Sequence, residues 1–155
     1  MDIGTWIELL GRSQDDPAVK GALAAAGLKK PPKLDKDNFR VHVELKGQGM
    51  SIVMMDEAYL KKLEDQDIGE GPLILTTVDA YLRRKKSGPL YKGKLPYNLA
   101  PDMTRDDVRR GLGSPTQIDD ETPADSWSRD GFEVVALYTQ DLTLRYIKVG
   151  LPPPA

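Results

Sequence analysis

Leu95 to Leu151 reads LPYNLAPDMTRDDVRRGLGSPTQIDDETPADSWSRDGFEVVALYTQDLTLRYIKVGL, and this stretch decides the fold. Thr104 and Asp107 stand at capping-box spacing. Asp106 and Asp107 sit at the positive end of a helix dipole, and Val108 and Leu112 form an apolar stripe. Gly113 and Pro115 end that helix. Ile118 to Ala124 reads as an acidic loop. Trp127 opens a strand, and Asp130-Gly131 is a two-residue hairpin turn. Phe132 to Thr139 and Leu142 to Val149 are two further strands, joined near Gln140-Asp141. The pattern is a capped helix followed by three antiparallel strands, and no catalytic motif falls within it.

Upstream, the same signals recur in a less legible form. Ile3, Trp6, Ile7 and Leu10 share one face of a short helix that stops at Gly11. Asp16 or Ser13 caps a second helix, Pro17 suits its first turn, and Val19, Leu23 and Ala26 lie on its apolar face. Gly27 and Pro31-Pro32 end it. Phe39 to Leu45 alternates, with Phe39, Val41, Val43 and Leu45 on one side and Arg40, His42 and Glu44 on the other. A turn at Lys46-Gly47-Gln48-Gly49 leads into a returning strand, Met50 to Met55. Asp56 to Glu70 is a charged excursion with a helical turn near Ala58 to Leu63. Leu73 to Leu82 is a third strand, rich in β-branched residues.

Each half therefore reads as a helix followed by three strands. Asp16 to Pro31 corresponds to Thr104 to Pro115, with Val19 and Leu23 matching Val108 and Leu112. The expected fold class is α+β: two similar helix-plus-three-stranded antiparallel units forming one sheet, with the helices on one face. In this division residues 1–82 are the first unit, 83–94 a basic linker and 95–151 the second unit, all in a single domain ended by Pro152-Pro153-Pro154. The opposite face of such a sheet is left open, and open faces and their rims are common docking surfaces.

Composition narrows the function classes. The chain has 155 residues, 39% hydrophobic and 30% charged, with a net charge of −2, so no global attraction to nucleic acid or anionic membrane is expected. Charge is segregated locally: Asp56 to Glu70 holds six acids and two lysines, whereas Arg83 to Lys94 holds six bases and no acid. The absence of cysteine excludes disulfides, thiolate zinc sites, a cysteine nucleophile and a lipobox. No stretch is apolar for long enough to span a bilayer. The expected location is the cytoplasm, as a monomer or weak dimer.

No constellation reads as an active site. His42, the only histidine, shares a strand face with Glu44, and a carboxylate-assisted base can be drawn from the pair. No nucleophile elbow accompanies it, so a solvated strand histidine is the expectation. Asp119, Asp120, Glu121 and Asp125 form an oxygen-rich loop, but they lack the glycine and closing glutamate of a calcium loop. Gly47-Gln48-Gly49 joins two strands and has no following Lys-Ser/Thr, so it is not a phosphate loop. Lys29-Lys30-Pro31-Pro32-Lys33 and Arg83-Arg84-Lys85-Lys86 lack the interleaved aromatics of a single-strand nucleic-acid platform. Trp127, Tyr138, Tyr146, Tyr91 and Tyr97 are expected mostly in the core. Any of them left on the open face would be an anchor for a protein partner.

Leu95-Pro96-Tyr97-Asn98-Leu99, Met103 to Arg109, Leu112-Gly113-Ser114-Pro115 and Asp125-Ser126-Trp127 with the following strand pair resemble a pattern in bacterial immunity proteins of polymorphic toxin systems. The helix-plus-sheet unit is also similar to that of the small lipoprotein of the outer-membrane β-barrel assembly machinery. Two tandem units resemble the architecture of β-lactamase inhibitor protein. The missing lipobox turns the expectation away from the assembly machinery. The resemblance implies a non-enzymatic immunity or inhibitor protein that occludes a cognate toxin domain, with no cofactor and no metal. A nuclease with a basic cleft is the natural toxin. Acidic loops would meet that cleft, and the expected partner-binding residues are Asp119, Asp120, Glu121, Asp125, Trp127, Glu64, Asp65 and Asp67. The competing expectation is a small enzyme or ligand-binding protein with a site between the halves near His42 and Glu44.

Overall fold

The computed structural model describes residues 2–35, 37–84 and 86–152. Lys85 of the basic run and most of the closing proline run lie outside the described residues. Seven antiparallel strands form one open sheet: β1 (Arg40–Leu45), β2 (Met50–Asp56), β3 (Leu73–Tyr81), β4 (Gln117–Asp119), β5 (Ala124–Arg129), β6 (Phe132–Tyr138) and β7 (Leu144–Gly150). Their spatial order is β1-β2-β3-β7-β6-β5-β4. The two halves of the chain meet where β3 pairs with β7, with Val78 opposite Val149 and Tyr81 opposite Tyr146.

The register assigns every strand residue to a face. Leu45, Met50, Ile52, Met54, Val78, Ala80, Ile147, Val149, Val134 and Ala136 fall on one face and form a continuous buried core. Three helices cover that face: α1 (Ile3–Ile7), α2 (Pro17–Ala25) and α4 (Arg105–Leu112). They contribute Ile3 and Trp6, Val19 and Leu23, and Val108 and Leu112 to the core. The fourth helix, α3 (Glu57–Lys61), continues directly from β2. Its Leu60 borders a cleft with Met55, Thr77 and Lys148, all residues of the other face. That other face carries Arg40, His42, Glu44, Ser51, Val53, Asp79, Tyr81, Tyr146 and Leu137, and none of them belongs to the core.

Local chemistry accounts for most element boundaries. Asp16 caps α2 by accepting from Ala18 N at 2.8 Å, and Pro17 occupies its first turn. The α4 capping box forms in both directions: Thr104 Oγ1 accepts from Asp107 N, and Asp107 Oδ2 accepts from Thr104 N at 3.1 Å. Asp130 and Gly131 both adopt positive φ in the β5–β6 turn, as a two-residue hairpin of this twist requires.

Three features depart from the expected layout. Gln117–Asp119 is a short edge strand, not part of a loop, and it gives the second half a fourth strand. No element in that half corresponds to α3. The halves are thus not copies of each other in their elements, although the strand order mirrors about the β3–β7 pair. Finally, the described residues of the basic linker, 83–84 and 86–94, are docked rather than extended as a spacer. Tyr91 is buried, its hydroxyl accepts from Ile3 N at 3.0 Å and donates to Lys94 O at 2.6 Å, and Arg83 donates to Pro101 O and Leu144 O. Gly49 lets this segment approach: a Cβ there would lie 2.1 Å from Tyr91 N.

Candidate functional site

The expected partner-binding residues divide into interior and surface groups. Asp125 is 1% exposed. Arg109 grips it through two hydrogen bonds of 2.8 and 2.7 Å, and the Tyr138 hydroxyl donates to it at 2.9 Å. Trp127 is 3% exposed, and its indole N–H donates to Gly113 O at 3.0 Å. Both side chains are consumed in fixing α4 against the sheet, which corrects their reading as contact residues. Asp119, Asp120 and Glu121 are exposed at the β4–β5 turn, where Asp119 Oδ1 accepts from the backbone N–H groups of Glu121 and Thr122.

Glu64, Asp65 and Asp67 are exposed in the loop after α3. The register sets the two acidic groups far apart. The β4–β5 turn lies at the end of the sheet where β3 finishes at Tyr81, and the loop after α3 lies at the opposite end, where Asp56 faces Leu73. They do not form one acidic face.

His42 and Glu44 lie on the uncovered face, and both are exposed. Glu44 is bound to Arg84 at 3.3 Å. Neither residue lines any of the clefts described below, so the geometry expected of an enclosed site between the halves is not found there. Of the aromatics, Trp127, Tyr138 and Tyr91 are buried and Tyr97 is half-buried beside Arg129. Tyr146 stands half-buried on the uncovered face.

The most developed surface lies at the α3 end, around residues that the sequence reading did not single out. Phe39, just before β1, stacks on Tyr59 of α3 with ring centroids 3.9 Å apart and planes 15° from parallel. Tyr59 is 43% exposed and Ile68 is 54% exposed. Two clefts of about 720 Å³ each meet at Phe39 and Ile68. One runs between Phe39, Met55, Tyr59 and Leu63, and the other between Pro32, Leu34, Phe39 and Leu73.

Asp56 builds this surface. Its carboxylate is fully buried at the β2–α3 junction. One oxygen caps α3 by accepting from Tyr59 N at 3.1 Å, and the other accepts from Gly69 N at 2.9 Å. A single side chain therefore fixes the backbone of Tyr59 and of the residue next to Ile68. With Ala58 turned inward, the helix leaves Tyr59 outward. Along residues 63–68, Leu63, Gln66 and Ile68 line the clefts while Glu64, Asp65 and Asp67 face solvent. The result is an apolar, aromatic surface with an acidic margin.

Elsewhere on the uncovered face, Ser51 Oγ donates to Asp79 Oδ2 at 3.2 Å and lies 3.0 Å from the Tyr81 hydroxyl. Burial pushes the Asp79 carboxyl above the usual carboxylate range, against the opposing effects of the Tyr146 and Ser51 hydroxyls and the Lys148 charge. Burial likewise raises Tyr146, with the neighbouring Asp79 adding to the shift. Among the described residues no group of three or more histidines and acids is placed to hold a metal ion. No helix among them is long and apolar enough to cross a membrane. The chain matches no family model, no curated protein and no solved structure.

Proposed function

We propose that this chain is a non-enzymatic, cytoplasmic immunity or inhibitor protein that binds a cognate bacterial toxin domain and occludes it. The observation that carries the reading is the Phe39–Tyr59 stack, half-buried at Phe39 and exposed at Tyr59, beside the exposed Ile68, set at two clefts and held in place by Asp56. Aromatic side chains fixed in place by the fold lose little entropy on binding and serve well as interface anchors. The clefts beside the stack are lined largely by apolar side chains, as a recognition surface requires.

The acidic loop gives the surface a direction. Glu64, Asp65 and Asp67 stand next to the anchors, so a partner with a basic rim, such as a nuclease cleft, is attracted and oriented by them. Asp119, Asp120 and Glu121 lie at the other end of the sheet and are assigned no part in this contact. The reading is tested by co-expression with the toxin domain encoded next to this chain in its genome. Growth rescue and a 1:1 complex are expected, together with loss of both on Tyr59→Ala plus Ile68→Asp while the variant stays folded. Failure of the unaltered chain to bind or rescue overturns the proposal.

A further inference from the structure

The far end of the uncovered face carries a second feature, opposite in charge and independent of the toxin-binding surface. A cleft of about 350 Å³ opens where β3 passes into the docked basic segment. Its sides include Tyr81, Arg83, Arg84, Lys86, Arg145 and Tyr146, and no carboxylate is among the lining residues. The two tyrosine rings, 5.3 Å apart and tilted by 49°, come from paired positions of β3 and β7. Arg145 reaches this cleft because the β6–β7 register shifts between Leu137 and Tyr138, leaving Arg145 without a partner position on β6.

The four cations are not equivalent. Arg83 is used by the fold, donating at 2.6 Å to both Pro101 O and Leu144 O. Arg84 lies 4.2 Å above the Tyr81 ring, pairs with Glu44 and donates to Pro89 O at 2.9 Å, so it forms a fixed planar wall with its charge balanced. Lys86 and Arg145 have no ion pair among the described residues. The cleft thus combines flat walls with two uncompensated positive charges. Its volume is near the lower end of the ~300–1,000 Å³ typical of small-ligand sites. That volume has room for one ring and one anionic group and is too small for a folded element of a partner.

We propose that this cleft binds a small flat organic anion, a ring bearing phosphate or carboxylate, with the ring against Tyr81, Tyr146 and Arg84 and the anion between Lys86 and Arg145. Amide NMR titrations of the full chain with adenosine 5′-monophosphate and with benzoate test it, with adenosine as the uncharged control. At least one anion should saturate with a dissociation constant of about 1 mM or tighter, perturb Tyr81, Arg145 and Tyr146, and outcompete adenosine. Lys86→Ala with Arg145→Ala should weaken it at least about tenfold, the equivalent of ~1.4 kcal/mol, while leaving the rest of the amide spectrum in place. Absence of saturable shifts with both anions at about 10 mM, or unchanged binding in the double variant, overturns the site. Tighter binding of a poly-glutamate peptide than of either anion at the same residues also overturns it, because the cleft would then be a protein-docking surface.

Discussion

Phe39 and Tyr59 stack face to face at 3.9 Å although they come from different elements, the approach to β1 and the helix α3. The pair closes one side of the α3 end and leaves Tyr59 partly in water. A stacked aromatic pair is worth about 0.5–1.5 kcal/mol beyond its buried area. Such a pair at the surface fixes two rings in one orientation. In the proposed complex, fold stability and partner binding draw on these residues to different extents, and substitutions can separate the two.

Ile68→Asp should leave urea unfolding within about 0.5 kcal/mol of the parent, because the side chain is exposed. The same change should weaken the toxin complex at least about thirtyfold, the ~2 kcal/mol expected of an interface anchor. Chemical denaturation and calorimetric titration, run on one preparation, check both halves of this statement.

Asp56→Ala removes the cap on α3 and the tie to Gly69 together. The expected loss of global stability is about 1–2 kcal/mol. A larger relative effect should appear locally: amide exchange at Tyr59 and Gly69 should accelerate more than exchange in the β2–β3 or β6–β7 ladders. Equal acceleration everywhere would show that Asp56 acts on the whole fold and does not specifically build this surface.

Asp125→Ala breaks a buried charge pair and leaves Arg109 and the Tyr138 hydroxyl without their shared acceptor. Because Arg109 keeps about a quarter of its surface in water, the low end of the ~3–5 kcal/mol for such a rupture applies. Toxin affinity should be unchanged in the fraction that folds, since this carboxylate does not reach the surface. Denaturation midpoints and binding measured below the unfolding temperature distinguish the two roles.

Acidification should stabilise the chain through Asp79. Burial raises its folded-state pKa above the usual 3.8. Between 3.8 and that higher value the folded chain holds a proton that the unfolded chain has released, so this group's contribution to stability falls as pH rises through the window. Asp79→Asn should remove that dependence and gain on the parent above the window. Urea midpoints of both proteins across mildly acidic to neutral pH give the comparison.

Gly49→Ala should be among the most costly single changes outside the core. The added Cβ would meet the Tyr91 backbone at 2.1 Å, and φ at this position is +67°. Backbone clash and left-handed strain together cost about 3 kcal/mol. Thermal denaturation reads the loss directly.

The fold was legible wherever a local rule decides a boundary. Asp16-Pro17, the Thr104 to Asp107 box and Asp130-Gly131 each specify their turn or cap with residues adjacent in sequence. The alternation of Arg40 to Leu45 set its faces for the same reason. β4 was hidden because Gln117, Ile118 and Asp119 are all exposed, so no burial pattern marks a strand there.

The site was less legible because its residues are distant in sequence. Nothing local says that Phe39 leaves its strand pattern to meet Tyr59, or that Asp56 bridges to Gly69 across thirteen residues. Ile68 carried the one available signal, an isolated large apolar residue within an acidic loop. Asp125 and Trp127 misled for the opposite reason. Asp125 lies in a polar stretch, and Trp127, although an aromatic expected mostly in the core, reads with the neighbouring acids as a contact residue; the pairing of β5 with β6 turns both toward the core.

The central claim, that the Phe39–Tyr59–Ile68 end of the sheet captures a toxin domain, is tested most directly by titrating the adjacently encoded toxin domain into the unaltered chain and into Tyr59→Ala plus Ile68→Asp. A 1:1 complex is expected for the former and at least about hundredfold weaker binding for the latter, the ~2.7 kcal/mol or more that two anchors supply. A toxin that does not bind, or that binds both chains equally well, would contradict it.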